Sequence, residues 1–152
     1  MRGWMPVWVA AAAFAAAVAG CGTSSTSSPA PPPTTSGFTI TISNLTYSPL
    51  NLHVPPGQTV TVVNDDGMPH SVTSEATQNA FTPGSVSGIS FDTGAFTGSR
   101  TFSIPSSAAS GTVIPFFCTV HRGTMNTPNG SITIDPTATA TTSSGGGGGT
   151  PY

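Results

Sequence analysis

The sequence has no lysine, and charged residues make up only 5% of its 152 positions. With a formal net charge of -2 it lacks the basic face that a nucleic-acid partner requires. So weak a field also gives little electrostatic steering toward a protein partner. Cysteine is nearly absent, with Cys21 and Cys118 the two thiols. No segment carries a convincing helical period of apolar residues, which argues against an α-helical domain. The apolar run Val7 to Val18 is too short to span a membrane comfortably.

What is present divides the chain into four parts. Residues 1–20 have the form of a secretory signal, with Arg2 as a positive start and the short apolar run behind it. The run closes Val18-Ala19-Gly20-Cys21, which resembles the lipobox of bacterial lipoproteins. That resemblance implies acylation of Cys21, which becomes the first residue of the mature chain. The protein is then lipid-anchored at the extracytoplasmic side of a bacterial membrane without spanning it. Residues 21–36 are Ser, Thr, Pro, Ala and Gly, with almost nothing to bury, and form a solvated tether. Residues 136–152 pass from Thr/Ala/Ser into Gly145 to Gly149 and are expected to be a disordered tail. Between them, residues 37–135 are the size of one small domain.

That domain alternates with a period of two. Phe38, Ile40 and Ile42 interleave with Thr39, Thr41 and Ser43. Leu50, Leu52 and Val54 follow, then Val60 and Val62, Ile89 and Phe91, Phe102 and Ile104, and finally Ile132 and Ile134. Turn signals separate the runs: Pro55-Pro56-Gly57, Asp65-Asp66-Gly67, Pro83-Gly84, Gly94, Gly98 and Asn129-Gly130. Short alternating strands at this spacing predict an all-β antiparallel sandwich or barrel. Residues 74–88 fit the pattern least and are expected to be a loop or a single helical turn.

With Cys21 assigned to the anchor, Cys118 is left without a disulfide partner and needs another explanation. It ends a hydrophobic strand and opens Cys118-Thr119-Val120-His121-Arg122-Gly123-Thr124-Met125. Far upstream, after an Asp-Asp-Gly turn, stands Met68-Pro69-His70-Ser71-Val72. Two His, one Cys and one Met are the ligand set of blue-copper sites, with three strong ligands and a weak axial thioether. Soft sulfur favours Cu(I) and imidazole suits both oxidation states, so the set permits one-electron cycling. Structural zinc sites carry more thiolate, and catalytic zinc sites do not use Met. His53, between Leu52 and Val54, is expected to be an exposed strand residue and not a ligand.

At these residues the chain resembles the cupredoxins, the family of plastocyanin, amicyanin and azurin. The Cys-x2-His spacing of Cys118 and His121 is that of plastocyanin and amicyanin, and the His-x3-Met spacing that of azurin. The segment from Asp65 to Val72 looks like the plastocyanin-type segment that carries the first His. The resemblance implies a Greek-key β-sandwich holding one copper ion, with His70 and His121 as imidazole ligands, Cys118 as thiolate and Met125 as axial ligand. Ser71 stands where relatives often carry an Asn that braces the ligand loop, so a different hydrogen bond is expected there. Val120 stands where several relatives carry Pro. Its N–H is therefore free to reach the Cys118 sulfur, which would raise the potential.

The function implied is electron transfer between extracytoplasmic redox proteins, such as a c-type cytochrome or a copper oxidase or reductase. The chain would act as a monomer and not as an enzyme, because beyond the ligands only His53 remains for a second centre. Partners would dock on an apolar rim formed by Met68, Pro69, Gly123, Thr124 and Pro128, with Arg122 at its edge. Few charges mean that docking should depend little on salt. A copper carrier or buffer using the same four residues is the alternative.

Overall fold

The computed structural model describes residues 36–142. The signal segment, Cys21 and the linker up to residue 35 lie outside the described residues, as does the Gly-rich end from residue 143. The described residues form strands, turns and loops with no helix, in a two-sheet β-sandwich. The first sheet takes β1 (Ser36–Ser43), β2 (Thr46–Ser48), β4 (Thr59–Asn64) and β6 (Gly98–Ser103), in the order β2-β1-β4-β6. The second takes β3 (Asn51–Val54), β5 (Thr73–Ser74), β7 (Val113–Phe117) and β8 (Asn129–Ile134), in the order β3-β8-β7-β5.

Period-two alternation puts one side of each sheet into a shared core. Phe38, Ile40, Ile42, Val60, Val62 and Phe102 enter from the first sheet, and Val54, Ile114, Phe116, Ile132 and Ile134 from the second. The sandwich expected from the sequence is therefore present, with two refinements. Two of its pairings, β1 with β4 and β3 with β8, are parallel, whereas the alternation suggested antiparallel strands throughout. Alternation reports which residues face inward and carries no information about the direction of a neighbour. Leu50, expected to alternate inward, is instead 48% exposed, because it precedes β3 and uses its carbonyl to accept the Ser131 amide.

Ile89 and Phe91 are buried as expected but lie in no strand. Val86 and Ile89 exchange backbone hydrogen bonds across Ser87 and Gly88, both at positive φ. This tight turn drops Phe91 into the core, where its ring stacks on Phe102 at 4.2 Å. Ser74 closes β5, and residues 75–88 form loop and turn with no helical turn among them. The described residues also run past residue 135, the boundary expected from composition. Ala138 and Ala140 pack on the core, and β9 (Thr141–Thr142) pairs with Ser36 and Gly37. The Thr-Ala repeat there has strand periodicity in residues too small to register as a hydrophobic pattern.

Gly130 illustrates how closely the second sheet is fitted. It sits opposite Phe116 in the ladder, and a Cβ there would lie 2.3 Å from the Phe116 ring and 2.9 Å from the Leu50 carbonyl. Phe116 is fully buried and braced edge-on by Tyr47 at 5.0 Å, so its ring has nowhere to move. Gly130→Ala is expected to cost about 1–3 kcal/mol through overpacking. A chemical denaturation midpoint equal to that of the parent would contradict this packing.

Candidate metal centre

The centre is assembled by two loops at one end of the sandwich. His70 lies between β4 and β5 and is fixed by a two-way backbone pairing with Phe96, at 3.1 and 2.9 Å. Cys118 follows directly on β7, and His121 and Met125 lie in the loop from β7 to β8. The fold brings the donor atoms of His70, Cys118 and His121 within 4.8 Å of one another. Cys118 Sγ lies 3.8 Å from His70 Nδ1 and 3.7 Å from His121 Nδ1.

These separations fit a small first-row ion. Each sulfur–nitrogen gap is one that a single ion bonded at about 2.0–2.1 Å to nitrogen and about 2.3 Å to sulfur would span. His70 and Cys118 are buried, Met125 is buried against the core in the same loop, and His121 alone of the four is partly exposed. Burial comes first among the causes that push His70 below the ordinary imidazole value, with the adjacent His121 second and the opposing pull of Asp66 too weak to reverse them. The neutral ring keeps a lone pair for a metal.

The thiol is also built in. Ser71 donates its N–H to Cys118 Sγ at 3.4 Å. Among the described residues no hydrogen bond from Val120 reaches that sulfur, so the amide expected from Val120 is supplied by Ser71 instead. Val120 turns outward at 45% exposure, because the chain bends away immediately after the strand. The Ser71 hydroxyl also holds the segment that follows β7: its Oγ accepts the Thr119 N–H at 2.9 Å. Thr73 donates its single hydroxyl proton to Asp92, at 2.8 Å. The 3.1 Å contact between Ser71 and Thr73 must then be donated by Ser71. The Thr119 hydroxyl in turn donates to Ser71 at 3.0 Å, giving a directed chain from Thr119 through Ser71 and Thr73 to the Asp92 carboxylate.

Three further residues were not legible from spacing. Tyr47 is buried and donates its hydroxyl to the Ser71 carbonyl at 2.8 Å; burial, then the nearby Cys118, pushes its pKa far above the usual phenol value. Glu75, fully buried, accepts the Asn79 and Phe81 amides at 3.0 and 2.8 Å and the side-chain amide of Asn129. It thereby shapes the loop that lays Phe81 against Phe117 and beneath Gly123, at the foot of the ligand loop. Asp66 accepts from His70 Nε2 at 3.0 Å. The Leu45 amide first, then the Asn44 amide and His70, hold its carboxyl below the ordinary value. Side chains that reach the centre from separate strands leave no motif in the sequence.

The expected rim is mostly at the surface. Met68, at 45% exposure, joins Pro69, Arg122, Gly123 and Thr124, which are exposed, while Pro128 is half-buried. His53 is exposed as expected, paired with Asp135 at 3.1 Å.

Residues 35–135 match the family described as copper binding proteins, plastocyanin/azurin family. The chain belongs to that family and is a copper-binding electron-transfer protein, a cupredoxin, with one copper ion per domain. It is similar in structure to an oxidized amicyanin variant, with 20% identity over 65% of this chain and 82% of the other and a TM-score of 0.49. A purple cupredoxin from Nitrosopumilus maritimus is 26% identical over 64% of this chain and 99% of the other, with a TM-score of 0.43. A second oxidized amicyanin variant is 21% identical over 66% and 83%, with a TM-score of 0.49. No curated protein matches the sequence.

Two outcomes follow for the metal-free protein. Ser71→Ala strands the half-buried Thr119 amide and is expected to cost about 1–3 kcal/mol by chemical denaturation. An unchanged midpoint would show that the hydroxyl does not brace the loop. Acid should also destabilise the fold. His70 has a folded pKa below its ordinary value of 6.5, so the unfolded chain binds more protons and stability declines as pH falls below about 6.5. The depressed Asp66 adds a further loss at lower pH, as its folded pKa is crossed. A melting temperature that stays flat from pH 7 to pH 5 would contradict this reading.

Proposed function

We propose that His70, Cys118, His121 and Met125 are the copper ligands and that the protein shuttles single electrons between extracytoplasmic redox partners. The observation that carries this reading is the convergence of Cys118 Sγ and two imidazole nitrogens within 4.8 Å, in a centre whose cysteine has no disulfide partner among the described residues. When bound, copper supplies the one-electron chemistry, and the protein holds the donors still. Burial of His70, Cys118 and Met125 favours retention of the ion over delivery, which separates this reading from a carrier or buffer. His121 is the route to the surface, and Met68, Pro69, Gly123, Thr124 and Pro128 form the docking rim around it, with Arg122 at its edge. Partners of the kind that fit are a c-type cytochrome or a copper oxidase or reductase. No catalytic role is assigned, and the chain acts as a monomer. Its lipid anchor is Cys21, at the end of the signal segment.

The test is spectroscopic. Addition of one equivalent of Cu(II) to the full-length chain should give an intense visible thiolate-to-copper charge-transfer band, which Cys118→Ser abolishes. Repeated reduction and reoxidation should leave copper bound in the presence of a competing chelator. A colourless protein would sink the ligand assignment, and loss of copper on each reduction would favour the carrier.

A further inference from the structure

We propose that Asp66 is a positioning residue for His70, and that the two-residue turn between β1 and β2 holds it in place while fastening the segment after Met125. The proposal rests on the ligand assignment above for its copper consequences, but its geometry stands independently.

Asn44 and Leu45 close the β1–β2 hairpin, with Ser43 paired to Thr46 on either side. Both have positive φ, 53° and 59°. Turns of this kind favour Asn-Gly, because a side chain at the second position crowds the backbone. Leucine is an unfavourable occupant, so the surrounding structure must hold it there. Its side chain packs on the core. Its N–H and that of Asn44 point at one carboxylate, donating to Asp66 Oδ2 at 2.9 Å and Oδ1 at 2.6 Å. Its carbonyl accepts the Asn126 and Thr127 amides at 2.9 and 3.4 Å, directly after Met125. The Asn126 side chain returns a further bond to the Asn44 carbonyl at 2.8 Å.

Asp66 is itself gripped from behind. Its N–H donates to Asn64 Oδ1 at 3.0 Å, and the Asn64 amide donates to the carbonyls of Met68 and Phe96. Oδ2, which takes the Leu45 amide, also lies 3.0 Å from His70 Nε2. A carboxylate there accepts a proton-bearing Nε2, which leaves Nδ1 bare, and Nδ1 is the atom facing Cys118 Sγ at 3.8 Å. Carboxylate partners of this type fix the tautomer and ring orientation and increase the basicity of the donor nitrogen. One strained turn therefore sets the imidazole at one side of the centre and anchors the loop at the other.

The experiment begins with the metal-free, full-length chain, labelled with ¹⁵N at histidine. His70 should occupy a single tautomer with the proton on Nε2. Asp66→Ala should redistribute the proton between the two nitrogens and weaken copper binding about 10–100-fold in chelator competition. Asp66→Asn retains an oxygen for Nε2–H and should preserve the tautomer. Its copper form should have a higher reduction potential, because a negative charge favouring the more oxidised state is gone. A wild-type His70 protonated on Nδ1 would overturn the proposal. So would an Asp66→Ala protein with unaltered tautomer and affinity or, should that variant not fold, an Asp66→Asn protein with an unaltered potential. Failure of the wild type to bind copper would overturn the ligand assignment while leaving the tautomer result to decide the role of Asp66.

Discussion

Every polar atom of Ser71 is committed, and the metal centre depends on that. Its N–H meets the Cys118 sulfur, its Oγ takes the Thr119 amide, and its carbonyl takes the Tyr47 hydroxyl. Ser71 adjoins His70, so this one residue ties the first histidine to the cysteine loop beside the β5–β7 pair. The chain has few charges and, among the described residues, no disulfide with which to hold a loop. It uses buried neutral hydrogen bonds instead. Such bonds are strengthened where water is excluded, and leaving one unmade there is costly. Asp66 and Glu75 add carboxylate bonds to these, since each accepts backbone amides that shape a loop next to the centre.

A centre held this way suits electron transfer for a physical reason. One-electron exchange is fast when the ligands need not move between oxidation states, and here the donors are placed by the sheets and loops rather than by an ion. Burial insulates three of the four proposed ligands, while partial exposure of His121 leaves one route inward. The surrounding surface is short of charge, so recognition by partners falls to apolar contact and shape.

Much of this was legible in the residues themselves. Alternation in Phe38-Thr39-Ile40-Thr41-Ile42 identified a strand with one buried face, and the same pattern recurred often enough to define a sandwich. Cys118, His121 and Met125 were recognisable because they lie close together in one loop, and His70 because its surroundings resemble a family segment. Strand direction in β1–β4 and β3–β8 was not legible, since inward-facing periodicity is the same for either direction. Ile89 and Phe91 looked like a strand because burial of every second residue also arises in an irregular loop pressed on a core. The roles of Asp66, Tyr47 and Glu75 depend on contacts between residues separated by tens of positions, and no local pattern encodes them. The Val120 amide departs from expectation for a related reason: an amide near a sulfur in sequence need not point at it in space.

The central claim is that the protein holds two imidazoles and one thiolate in place for its copper. Copper-edge X-ray absorption of the oxidised and reduced protein tests this most directly. Two nitrogen ligands and one short sulfur ligand should be present in both states, with bond lengths nearly unchanged on reduction. Loss of an imidazole on reduction, or a site dominated by nitrogen and oxygen without the short sulfur, would contradict it.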